Sequence, residues 1–468
     1  MSDFPSGAAF RSIGELSAAL GAGALDAVRL TEEFLARIDG PGRALNAYVV
    51  VCRDAALQAA RAAATRAAAG RRLGPLDGIP VALKDNIDLA GVPTGNGFGG
   101  APWRVPDHDA EVVRRLRAAG AVILGKLTMH EGALGATNDN PHTGRTHNPH
   151  RVGFTPGGSS GGSGAAVAAG LCAAALGTDT GGSVRLPAAY CGVVGLKPSY
   201  GLVSTRGVVP LSYRLDHVGP LTRTVEDAAL MLDGMAGFDP ACPESRLVPP
   251  PPAGAARGDV MRGLRLGVLR NFDDEPPEPA IASAFAAARQ ALERLGAVIE
   301  TVALPGYDMA RGRRAGFVRV EVEAAFVHGA LLAREPARFS PAMRGFLEFG
   351  ARATAQQVLK ADRRIDLAAF ELRQAFAAVD AIVSPTAPQV AFGFDARPPD
   401  NQSSYTILAN FAGCPALSLP MGATADGLPI GLHVMAPIGR EDRVLRIAAA
   451  YQAASAWRVL PPPPLGPG

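Results

Sequence analysis

Residues 157–183 read GGSSGGSGAAVAAGLCAAALGTDTGGS. Two serine-bearing glycine clusters, 157–163 and 181–183, bracket a run of small residues. Glycine opens backbone conformations closed to other residues and lets main-chain N–H groups approach a ligand closely. A serine between such glycines is exposed and easily positioned. A site that must hold an oxyanion against bare amides needs this composition. Two turns flanking a packed helix would account for either cluster alone. Their pairing, with Asp179 and Arg185 beside the second, points to a reaction site.

Outward from this stretch, helical patterns alternate with short apolar runs. Residues 17–37, 53–72, 110–119, 164–176, 224–235 and 279–295 read as helices, that at 224 opened by an N-cap threonine and two early carboxylates. Residues 80–88, 121–124, 193–196, 202–204, 264–270, 298–302, 381–384 and 416–420 read as strands. Alternation at this spacing predicts an α/β layered fold. No internal repeat is present, and 1–468 is expected to form one domain. The proline-rich stretch 248–259 is expected to be a loop or linker within it.

Composition narrows the function classes. The chain has 468 residues, 48% hydrophobic, enough for a large core. Its net charge of +3 arises from 42 arginines and only four lysines against 43 acidic residues. No basic block stands out, so nucleic acid is not an expected partner. The five cysteines are widely spaced, with neither a CxxC nor a Cys/His ligand pattern. No disulfide framework or metal site is expected, which fits a reducing cytoplasm. The first residues lack a basic segment followed by an apolar one, and the longest apolar run, 165–176, is too short to span a bilayer. A cytoplasmic protein without membrane contact is expected.

Lys84 lies within PVALKDNID, residues 80–88, between Val81, Leu83 and Ile87. Burying a charged lysine is costly, and desolvation lowers its pKa. A lysine must be neutral to act as a base. The plainer reading pairs Lys84 with Asp85 or Asp88 as an ion pair. With GGSSGGS, then GTDTGGSVRLPAAYCGVVGLKPSYG, and GIPVALKDNID upstream, the chain resembles the amidase signature family. Residues 125–135, 215–227 and 410–431 also look like family segments, whereas 238–379 match weakly.

The resemblance implies a single α/β domain, a central mixed sheet covered by helices on both faces. It also implies roles. Ser183 matches the nucleophile, Lys84 the base, and Ser159 the bridging serine that the family holds on a cis peptide. The amides of Thr180, Gly181, Gly182 and Ser183 match the oxyanion hole. Ser160, Asp179 and Arg185 match supporting positions. The chemistry implied is C–N hydrolysis through an acyl-enzyme, with neither metal nor organic cofactor. Two other readings compete. Residues 157–161 also satisfy GxSxG, the nucleophile elbow, with Ser159 as nucleophile and His433 as base. No strand precedes that motif. A non-enzyme reading makes the glycine-rich turn a phosphate cradle in a scaffold subunit. No phosphate-binding motif accompanies it.

Substrate is read from the resemblance and the residues together. Family members cleave aliphatic and aryl amides, peptide amides and carbamates, and one is the glutamine-hydrolysing subunit of a tRNA-dependent amidotransferase. That member holds glutamine with an arginine and an aspartate. Those positions fall near Phe346 and at Ser403, neither of them charged. Met129, His130 and Phe346 are expected to line an apolar pocket. The expectation is therefore a stand-alone amidase for hydrophobic or aryl amides, with carbamates as further substrates; its expected partner is that small-molecule substrate, and the oligomeric state is not readable from the sequence. The alternative is the glutamine-hydrolysing subunit.

Overall fold

The protein is described by a computed structural model that covers residues 7–101, 104–249, 261–457 and 462. Thirteen strands occur among them: β1 (Tyr48–Val51), β2 (Pro80–Lys84), β3 (Val122–Leu127), β4 (Asp139–Asn140), β5 (Gly144–Arg145), β6 (Ala174–Asp179), β7 (Val194–Lys197), β8 (His217–Thr222), β9 (Arg265–Leu269), β10 (Val298–Val302), β11 (Ala381–Pro385), β12 (Ala416–Ala423) and β13 (Pro429–Met435). Eleven form one sheet in the order β1-β3-β2-β6-β8-β7-β12-β13-β11-β9-β10, and β4 pairs with β5 apart from it. The sheet is mixed. β2 runs parallel to β3 and β6, whereas β8 runs antiparallel to β6 and β7. Helices flank it, as the α/β expectation requires.

The central strands β2, β3, β6, β7 and β8 are buried at every residue. Strands covered on both faces read as continuous apolar runs rather than alternating ones. Polar residues on such strands are therefore conspicuous. Of the four lysines, Lys84, Lys126 and Lys197 are fully buried. In the β2–β6 register Leu83 faces Leu176, which puts Lys84 beside Thr178 at the strand ends.

Several elements differ from the sequence reading. The expected helix at 164–176 is the helix Gly161–Ala168 followed by β6. Gly170, at φ +65°, turns the chain there, and burial on both faces makes a strand of an alanine run that favours helix by propensity. Residues 17–37 form parts of two helices, Ile13–Gly21 and Ala27–Asp39, the second capped by the Asp26 side chain. Residues 202–204 form no strand. Three helices of the weakly matching region, Met309–Arg334, Pro341–Arg352 and Ala355–Ala378, carry a second apolar core. From residue 250 onward the proline-rich stretch lies outside the described residues. Among the described residues no helix is long and apolar enough to cross a membrane.

The helix Gly161–Ala168 packs so closely on the backbone that a Cβ at Gly162 would lie 2.5 Å from the Thr128 carbonyl oxygen. Gly162→Ala is expected to cost about 1–3 kcal/mol, because a methyl group has to be forced into a filled space. Its urea unfolding midpoint should fall below that of the wild type; an unchanged midpoint would show that the contact is not tight.

Candidate active site

Lys84 Nζ, at the end of β2, lies 2.8 Å from Ser159 Oγ, 2.7 Å from Thr178 Oγ1 and 3.5 Å from Thr178 O. Its sequence neighbours do not pair with it. Asp85 faces Lys126 Nζ at 3.4 Å, and Asp88 is held by Arg104 and Thr94. The plainer ion-pair reading therefore fails. Burial pushes Lys84 down to about 7, against the pull of Asp216 and Asp179 upward. A neutral amine has two N–H groups and one lone pair. Here the N–H groups have Thr178 to donate to, which leaves the lone pair toward the Ser159 hydroxyl. Thr178, whose hydroxyl also accepts from Asn86 Nδ2 at 3.1 Å, is a site residue that the sequence reading misses. Its signal is the register of two adjacent parallel strands, which only the sheet order reveals.

The Gly158–Ser159 peptide is cis. Ser159 O accepts from His130 N at 3.1 Å, and Ser160 N donates to Ser183 O at 3.3 Å. The two serine clusters are thus joined through backbone. Ser160 Oγ donates to Thr178 O at 3.1 Å and accepts from Thr178 N at 3.2 Å. The Ser183 hydroxyl makes no hydrogen bond among the described residues, so it is free to turn.

The loop 180–183 is shaped by Asp179. Its carboxylate accepts from Gly182 N at 2.8 Å, Val184 N at 3.1 Å, Asn410 Nδ2 at 2.9 Å, and Arg185 Nε and Nη2 at 3.0 and 2.9 Å. Burial alone would raise this carboxyl, but Arg185 and Asn410 hold it well below the usual carboxylate range. Arg185 also donates to Thr406 O, Asn410 Oδ1 and His433 Nε2. His433 is fully buried, and its ring is kept neutral by burial and by that guanidinium. It supports Arg185 and has no contact with Ser159, so the elbow reading lacks its base. Thr406 Oγ1 donates to Gly181 O at 2.7 Å. A Cβ at Gly182 (φ +135°) would sit 2.3 Å from that hydroxyl oxygen.

This geometry corrects the expected oxyanion set. The Gly182 N–H is already donated to Asp179, so it is not available to a substrate oxygen. The amides of Thr180, Gly181 and Ser183 have no acceptor among the described residues. Thr180 Oγ1 donates to Asp216 Oδ1 at 2.6 Å.

A cleft of about 90 Å³ opens beside Ser183. Its walls are Leu134, Gly135 and Ala136; Thr180, Gly181 and Leu186; Leu211; Gly316, Phe317 and Val320 of the long helix; and Ser403 and Ile407. None of these carries a charge. The three residues expected to line it do not. Met129 is wholly buried in the second core. The His130 ring lies behind the lining loop, where a Cβ at Gly135 would come 2.1 Å from Nε2, and burial lowers its pKa to about 4. Phe346 is 39% exposed, with Leu347 turned inward instead. The aromatic wall is Phe317, from a helix within the weakly matching region. Among the described residues no group of three or more His, Cys, Asp or Glu side chains is placed to share a metal ion.

A family model described as Amidase matches residues 29–445. The A subunit of the glutamyl-tRNA(Gln) amidotransferase from Methylococcus capsulatus is 40% identical, over 97% of this chain and 98% of the relative. A solved chain from a vestigial protein complex, tied to the evolutionary origins of an s-triazine catabolic enzyme, is 35% identical with a TM-score of 0.89, covering 95% of this chain and 98% of that one. The corresponding glutamyl-tRNA(Gln) amidotransferase polypeptide of Thermotoga maritima is 31% identical with a TM-score of 0.84, covering 98% and 99%. These findings overturn two expectations. Near-full-length likeness to amidotransferase polypeptides contradicts a stand-alone amidase preferring hydrophobic or aryl amides or carbamates. Likeness to members of assemblies also contradicts a small molecule as the only partner.

The Asp179–Arg185 pair is fully buried on both sides. Asp179→Asn leaves the guanidinium uncompensated and is expected to cost about 3–5 kcal/mol. Chemical unfolding measures this; a loss below about 1 kcal/mol would mean that the loop does not depend on the pair.

Proposed function

The chain belongs to the amidase family and acts on C–N amide bonds, and from that premise we propose that it is the glutamine-hydrolysing component of a tRNA-dependent amidotransferase. What carries this reading is the 40% identity to the A subunit of a glutamyl-tRNA(Gln) amidotransferase over nearly the whole of both chains. The likeness to the solved Thermotoga maritima polypeptide strengthens it.

The residues have the following roles in this reading. Neutral Lys84 takes the proton of Ser159 as Ser159 takes that of Ser183, and Ser183 Oγ attacks the amide carbon. Negative charge gathers on the carbonyl oxygen and meets the free amides of Thr180, Gly181 and Ser183. The C–N bond breaks, and the proton returns from Lys84 through Ser159 to the departing nitrogen, which leaves as ammonia. Water then attacks the acyl carbon, giving its proton through Ser159 to Lys84; as the bond to Ser183 Oγ breaks, that proton returns through Ser159 to Ser183 and glutamate leaves. Asp179, Arg185 and Ser160 support the loop. Ammonia formed in this way serves an acceptor held elsewhere in the assembly; the relatives' name identifies that acceptor as glutamyl-tRNA(Gln). A cytoplasmic location follows from this role, and the five cysteines are unpaired.

The neutral cleft makes glutamine the sharpest substrate test. Purified chain, alone and with its co-purifying partners, is expected to release ammonia from glutamine. Turnover of uncharged amides with none of glutamine in either form would sink the proposal. Ser183→Ala should remove activity to the level of buffer while keeping the fold, and Lys84→Ala should cost about 10²–10⁴-fold. In the wild type, turnover should fall about tenfold per pH unit below the Lys84 pKa, because protonation removes the base. That limb is expected near pH 7, where burial sets Lys84. A rate flat through this range would exclude Lys84 as the base.

A further inference from the structure

Asp216 has no part in the chemistry proposed above, yet it meets three walls of the cleft. It directly precedes β8, next to the register pair Asp179–His217, and so lies alongside Thr180. Its Oδ1 accepts from Thr180 Oγ1 at 2.6 Å. Its Oδ2 accepts from Leu211 N at 2.8 Å and Ser212 N at 3.0 Å. Leu211 and Thr180 both line the cleft. Ser212 Oγ donates in turn to Glu323, on the long helix that contributes Phe317 and Val320. One carboxylate therefore ties the oxyanion loop to the 211–212 turn and, through Ser212, to the helix opposite.

The charges around Asp216 come from several elements. Lys84 of β2 feels its negative charge. Glu323 opposes it from the long helix, itself paired with Arg319 at 3.0 Å. Tyr200 and Tyr213 stand near, and Arg206 and Glu244 share a second hollow with it. Burial raises the Asp216 carboxyl to about 6, against the hydrogen bonds from Thr180, Leu211 and Ser212.

We propose that Asp216 is a positioning residue for amide cleavage: it clamps Thr180 of the oxyanion loop onto the 211–212 turn, and its charge acts on Lys84. The clamp aims the Thr180 amide at the developing oxyanion. The charge favours the protonated lysine, so removing it makes Lys84 easier to deprotonate. This rests on Ser183 as nucleophile but not on glutamine as substrate.

The experiment follows the rate of Ser183 labelling by a fluorophosphonate, together with kcat and KM on a hydrolysed amide, across pH for the full chain. Asp216→Asn is expected to lower kcat about tenfold or more while KM changes less than about threefold. Its acid limb should move to lower pH by about half a unit or more, since a negative charge near Lys84 is gone. Thr180→Val keeps the Asp216 carboxyl but breaks the clamp, so kcat should fall while the limb moves less than in Asp216→Asn. An Asp216→Asn protein that is merely less heat-stable, with kcat and limb as in the wild type, overturns the proposal. If Asp216→Asn does not fold, Thr180→Val decides, and an unchanged kcat there overturns it. A wild type that does not label at Ser183 overturns the proposed function as well; a labelling wild type with variants that behave like it overturns this inference alone.

Discussion

The site depends on one buried ion pair. Asp179 and Arg185 are both sealed from water, and five donors converge on the carboxylate. A buried charge is tolerable only when its hydrogen-bonding capacity is met in full. Satisfying Asp179 bends the 180–184 backbone around it, so that the Gly182 and Val184 amides point inward. The amides of Thr180, Gly181 and Ser183 are left without protein acceptors. The same constraint that shapes the loop thus decides which of its N–H groups Asp179 takes and which stay open to the cleft.

A second constraint is dielectric. Lys84 lies in the same buried layer but is denied a carboxylate partner, because Asp85 turns to Lys126 and Asp88 to Arg104 and Thr94. Lys126 keeps its ion pair, whereas Lys84 receives hydroxyls. Two lysines on neighbouring strands thus have different tasks, set by which aspartate reaches which. The ammonium form of Lys84 is disfavoured, so its amine can lose a proton near neutrality.

The cleft draws on distant parts of the chain. Its nucleophile loop lies in the sheet layer, whereas Phe317 and Val320 come from the helix Met309–Arg334 and Ser403 from the segment before 407. Thr406 joins the two layers through Gly181 O, and the Asp216 clamp joins them through Ser212 and Glu323. Hydrogen bonds thus connect the 180–184 loop to the helix wall of the cleft.

By itself the sequence determined the α/β class and the two glycine–serine clusters, because these rest on local composition, glycine where the backbone must pass closely and serine between; Lys84 was joined to them only by the family resemblance, local composition offering it an aspartate. Local signals could not rank Asp85 against Thr178 as the partner of Lys84, since that is a matter of strand register between residues ninety-odd positions apart. They misassigned residues 174–176, where burial on both faces overrides the helical propensity of alanine. The resemblance also credited Gly182 with an amide that Asp179 uses, and Met129, His130 and Phe346 with a cleft that Phe317 and its helix line. Which N–H is free and which side chain faces the cleft depend on packing between segments far apart in the chain, and only the tertiary structure decides that.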